Sequence, residues 1–132
     1  MNPSRILTIT SLLLILLAIV HLAQDIAYGY EPGTVNNLLV VPFAVVWLYG
    51  VLMLAERRSG YIINLLLSLF SLVVPYVHMK GKGVGLASRL AYHSGHLFYV
   101  WTLLAIGVLG LFSAILSVHG LLSMTWRRSR AR

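Results

Sequence analysis

Apolar residues run through this chain in long blocks, and polar residues fall mainly between them. Ile6 to Val20 carries no charged residue. Four blocks are long enough to cross a bilayer core of about 30 Å, which takes about 20 apolar residues in helix. They run over residues 6–27, 37–55, 61–79 and 90–122. The links YEPGTVN, ERRSG and KGKGVGLASR are short and rich in turn formers and charge. Short links join neighbouring antiparallel helices, and backbone groups in lipid must be satisfied within each segment. The pattern therefore predicts an all-α, integral membrane four-helix bundle, up-down-up-down, as a single domain.

Composition agrees. Of 132 residues, 59% are hydrophobic and 10% charged, where a soluble domain carries about a quarter. The formal charge of +7 sits in Arg57-Arg58, the tail WRRSRAR and a few residues at block ends. Such placement reads as topology signal and contact with lipid headgroups, not as a nucleic-acid surface. Arg5, Arg57, Arg58, Arg127, Arg128, Arg130 and Arg132 fall on one face of the membrane, and Lys80, Lys82 and Arg89 on the other. The positive-inside rule then sets both termini in the cytoplasm, and in a bacterium the chain belongs to the inner membrane. A cleaved leader is the competing reading of the N-terminus, but no small-x-small site follows the first block.

Polar residues inside the blocks repeat at helical spacing. His21, Gln24, Asp25 and Tyr28 share one face of the first helix, toward its outer end. Asn64, Ser68, Ser71, Pro75 and His78 share a face of the third. His93, His96, Val100, Leu103, Gly107, Gly110, Ala114 and Ser117 continue that rhythm on the fourth, where Gly107, Gly110 and Ala114 permit close packing. The second helix has no such stripe, and Pro42 is expected to kink it.

Ionisable groups within a span are expensive, and by default mark a site. His21 lies about 9 Å inside its helix end at 1.5 Å per residue. In the antiparallel arrangement His21, Asp25, His78, His93 and His96 gather at the outer end, while His119 lies at the inner one. Imidazole with carboxylate suits zinc, copper or haem iron. The chain has no cysteine, which removes thiolate sites, and its few acids exclude a di-iron carboxylate centre. The expected ligands are His21, Asp25, His93 and His96, with His78, Gln24 and Tyr28 as supporting or alternative donors. Met79 adds a soft donor that copper(I) accepts. For haem, His21 with His96 is the best pair.

GKGVG lacks the strand and the GK[ST] ending of a phosphate loop, and Ser94 has no placed acid for a hydrolytic relay. Function thus reads as metal or haem binding in an accessory or metal-handling subunit of a membrane complex. One alternative is a structural or assembly subunit whose polar cluster only packs helices. Another is a small transporter that oligomerises, with Asp25 and Asn64 on one continuous polar route.

Overall fold

The structure is a computed structural model that describes residues 3–80 and 96–130. Among them it is helical and contains no strand. Helix α1 spans Pro3–Ala27. A short 3-10 turn, Val35–Leu39, leads into α2, Val40–Leu52. Helix α3 spans Arg58–Lys80 and α4 spans His96–Arg130. Four helical segments are long and apolar enough to cross a membrane: Pro3–Ala27, Val35–Leu52, Arg58–His78 and Leu97–Trp126.

The helix ends differ from expectation for local reasons. Pro3 opens α1, since its missing N–H is unpaired at a first turn anyway. At its other end Gly29 adopts a positive φ of 70°. The amide of Gly29 donates to the Ile26 carbonyl and that of Tyr30 to the Asp25 carbonyl, the two bonds of a Schellman stop. Asp25 therefore stands in the last turn of α1. Pro42 lies in the first turn of α2, just after the 3-10 turn passes into α-helix at Val40. The Asn37 side chain accepts the Thr34 amide at 2.8 Å and closes the turn before it. Helix α4 runs past Leu122 because neither glycine nor proline follows Gly120 to stop it.

Polarity is inverted relative to a water-soluble fold. Ser11, His21, Asp25, Asn64, Ser68, Thr102, Ser113 and Ser117 are buried, whereas Leu16, Val45, Leu66, Phe70, Val108 and Leu122 face outward. An outer surface this apolar matches a lipid solvent. Helix α4 packs along both α1 and α3, and α2 lies against the outer side of that pair. Gly110 makes the α3–α4 approach possible: a Cβ there would stand 2.5 Å from Ser71 Oγ and 3.4 Å from the Ser68 carbonyl.

At mid-length a hydroxyl layer ties three helices. Ser68 donates to Ser113 Oγ at 2.9 Å, and Ser113 pairs with Ser11 at 3.1 Å. Toward the start of α3, Trp47 Nε1 donates to Asn64 Oδ1 at 3.0 Å, and the Asn64 amide donates to the Gly60 carbonyl at 3.1 Å. Ser4 donates to Glu56 at 2.7 Å, which brings the start of α1 to the α2–α3 link. Leu14, Ile15, Trp47, Val51 and Ile106 form one buried apolar cluster, and Trp47 joins it to Asn64.

Candidate metal centre

The end opposite Ser4 and Glu56 gathers His21 and Asp25 from α1, His78 from α3, and Tyr99 and Thr102 from α4. His21 and Asp25 lie four residues apart on one face of α1, and both are buried. One nitrogen from each histidine and one Asp25 oxygen lie within 4.8 Å of one another. His21 Nε2 is 3.6 Å and His78 Nε2 3.4 Å from the same atom, Asp25 Oδ2. Both are ion-pair distances, available to either ring when it is protonated.

Hydrogen bonding assigns the ring protons. His78 Nδ1 is 2.8 Å from the Val74 carbonyl, which only accepts, so Nδ1 carries the proton. Nε2 of a neutral His78 then presents a lone pair. The Thr102 hydroxyl has two carbonyl acceptors at 2.8 Å, Gln24 Oε1 and the Tyr99 backbone. Its proton goes to one of these, and its oxygen accepts from His21 Nδ1 at 3.3 Å. His21 Nε2 thereby also presents a lone pair, and it is buried without a hydrogen-bond partner. The Tyr99 hydroxyl donates to Asp25 Oδ1 at 2.7 Å, leaving Oδ2 to face the two rings.

With both rings neutral, three lone-pair atoms thus converge from two helices. Such an arrangement is repulsive until a cation, a proton or a metal ion, stands among them. The position of Asp25 strengthens the demand. The last turn of a helix carries the negative end of its dipole and disfavours an anion there. Nitrogen and oxygen ligands about 2.0–2.1 Å from a tetrahedral zinc ion lie about 3.3 Å apart. The two edges to Asp25 Oδ2 are already close to that, and the His21–His78 edge is the one a bound ion would draw in.

Packing holds the donors in place. The His21 and His78 rings meet edge to face at 4.9 Å, and Tyr99 packs on His21 at 4.7 Å. Imidazoles this close leave no space for a macrocycle between His21 and His78, and the side chain of His96, the expected haem partner of His21, lies outside the described residues. Tyr28 stands 6.1 Å from the Tyr99 ring, outside the ligand group, and Gln24 is buried behind it.

Relative to the sequence reading, His21 and Asp25 come together as expected. His78, expected as a supporting donor, stands among the ligand atoms. His93 lies outside the described residues, and of His96 only the backbone is described. Gly110 and Ala114 are buried in packing, while Gly107 is half-buried against Pro75. Tyr99 and Thr102 were missed. Their spacing from Ile106, Gly110, Ser113 and Ser117, in steps of three and four, is the signal that would have found them.

No family model matches the chain, and neither does any curated protein or solved structure.

Proposed function

We propose that this is a small polytopic membrane protein that binds a divalent transition metal, zinc-like in its preference, through His21, Asp25 and His78. The single observation that carries the reading is that a nitrogen of His21, a nitrogen of His78 and a carboxylate oxygen of Asp25 lie within 4.8 Å of one another, with both Nε2 atoms close to Asp25 Oδ2. Three protein ligands leave a tetrahedral ion one open position, the pattern of reactive rather than purely structural sites. Tyr99 and Thr102 act from behind, each orienting one ligand by a hydrogen bond. Copper(II) accepts the same donor set.

In this reading the chain serves a larger membrane complex as an accessory or metal-handling subunit. A transporter would need a polar route from Asp25 to Asn64. The apolar cluster of Leu14, Ile15, Trp47, Val51 and Ile106 speaks against one, and the Asn64 amide is engaged by Trp47 and Gly60. A purely structural cluster would hold a proton there instead, as a His78–Asp25 ion pair at 3.4 Å, and metal content separates the two readings.

Metal analysis of protein purified in detergent without chelator tests the reading. Stoichiometric zinc or copper is expected in wild type. His21→Ala, His78→Ala and Asp25→Asn are each expected to lose most of it while still reaching the membrane, and His119→Ala to keep it. Asp25→Asn belongs with the histidine changes because both rings aim at its Oδ2. Equal metal in all variants, or none in wild type, would refute the site.

The proposal extends to topology: up-down-up-down helices, both termini and Arg57-Arg58 in the cytoplasm, and the metal site at the extracytoplasmic end. The density of arginine at the Ser4–Glu56 end supports it. With cysteines introduced at Glu31 and Ser129, an impermeant thiol reagent is expected to label Glu31→Cys in intact cells and not Ser129→Cys. The opposite pattern would invert the orientation.

A further inference from the structure

A cavity of about 350 Å³ borders the ligand atoms. It lies where α2 bridges α1 and α3. His21, Asp25 and His78 stand at one end, and Ile15, Trp47, Leu67 and Ile106 stand toward the other. Asp25 and Ile15 are ten residues apart on α1, a run of about 15 Å along the helix. Phe43 of α2 and Phe70 of α3 stack in parallel at 5.9 Å. Both rings line the cavity and both are exposed, so they form its rim toward lipid.

The size and the polarity of this space constrain what fits it. An engineered apolar cavity of about 150 Å³ holds benzene and excludes water, so a volume more than twice that takes a chain or a substituted ring. Ligand pockets begin at about 300 Å³. Polarity falls from the ligand atoms inward, as it does in a membrane from headgroup to acyl chain. Its occupant should therefore be amphiphilic and should arrive from the bilayer. The head is set by charge. A divalent ion with two neutral imidazoles and one carboxylate keeps a net single positive charge and an open position. A carboxylate fills that position with an oxygen ligand and neutralises the charge in an apolar setting. Without the ion, the same head would face Asp25 and be repelled.

We propose that the cavity holds a single-chain carboxylate amphiphile, its carboxylate on the metal at His21, Asp25 and His78 and its chain between Phe43, Trp47 and Phe70. The inference rests on the metal site proposed above. It makes binding of the acid metal-dependent, and binding of a neutral amphiphile of the same length independent of metal.

The test measures binding of labelled dodecanoate and dodecanol to the full chain in lipid nanodiscs, with zinc and after chelation. Zinc content is read on the same samples. Dodecanoate is expected to bind at least about tenfold more tightly with zinc, a difference of about 1.4 kcal/mol, and dodecanol equally in both states. Ala44→Phe and Leu67→Trp each place a larger ring in the cavity away from the ligands. They are expected to reduce dodecanoate binding with zinc content unchanged. Dodecanoate binding that ignores zinc, or that survives in both filled variants with zinc still bound, overturns the inference and leaves the metal site standing. A wild type that holds no zinc overturns both.

Discussion

The Ser11–Ser68–Ser113 layer and the His21–Asp25–His78 group are built by the same helices, and both bury polar atoms in an apolar bundle. They differ in how those atoms are satisfied. In the serine layer each hydroxyl can both donate and accept, so Ser68 donates to Ser113 and Ser113 pairs with Ser11, with no charge and no leftover lone pair in conflict. Nearer the other end, Asn64 divides its amide between Trp47 and the Gly60 carbonyl with the same economy. At the histidine group the hydrogen bonds to Val74, Thr102 and Tyr99 take the outward-facing atoms and leave acceptors facing one another. Buried polarity alone therefore does not mark a site in a membrane bundle. Packing can use hydroxyls and amides without remainder, and a site is recognised by convergent acceptors that packing leaves open.

The largest expected effect separates the two regions by destroying one of them. Gly110→Leu puts a side chain where Ser71 Oγ and the Ser68 carbonyl now stand, and forces α3 from α4 at the serine layer. Overpacking of this kind costs about 1–3 kcal/mol, here toward the upper end because backbone is among the obstacles. Val108→Leu on the exposed side of the same helix is expected to change little. Thermal unfolding in detergent compares them, and equal midpoints would mean that the close-packed face of α4 is misassigned.

Next in size is Tyr99→Phe, which removes only the hydroxyl that holds Asp25 Oδ1. Outer-shell hydrogen bonds of this type typically support about 10–100-fold in metal affinity. Zinc affinity is expected to fall within that range while the thermal midpoint of the metal-free protein stays near that of wild type. A large fall in stability with unchanged affinity would place Tyr99 with the serines, as packing.

The contrast between the regions was partly legible in the sequence. The four spans follow from length and hydropathy, because a bilayer imposes both. The stripes His21–Gln24–Asp25 and Asn64–Ser68–Ser71 follow from helical spacing, and all six residues are buried. The place of His78 beside Asp25 was not legible, since it depends on how α1 and α3 are staggered and not on spacing within either. The inward face of α4 was only half legible. A steady 3.5-residue seam describes a helix with one partner. Helix α4 packs on both α1 and α3, so its buried face widens from Leu103, Gly110, Ala114 and Ser117 to include Tyr99, Thr102, Ile106 and Ser113. The cavity had no sequence signal, because it arises where α1, α2 and α3 do not fill the space between them.

The smallest expected effect is the most direct comparison of the two regions. Ser113→Ala deletes the hydroxyl shared by Ser11 and Ser68. The two that remain are fully buried, but each is a serine in a helix and can turn to a backbone carbonyl one turn earlier, as Ser117 already does with the Ser113 carbonyl at 2.8 Å. Interhelical hydrogen bonds of this kind average about 0.6 kcal/mol, so losing two should cost about 1 kcal/mol and shift the thermal midpoint slightly. Zinc content should be unchanged, because the layer lies about three turns of α1 from His21, some 15 Å by helix rise. Asp25→Asn, which keeps the shape, should show the reverse: metal lost, and a metal-free protein no less stable than wild type, since an amide nitrogen at this position can donate to a facing ring. If Ser113→Ala also depletes the metal, the layer and the site form one connected unit, and the division between satisfied packing and open ligands fails.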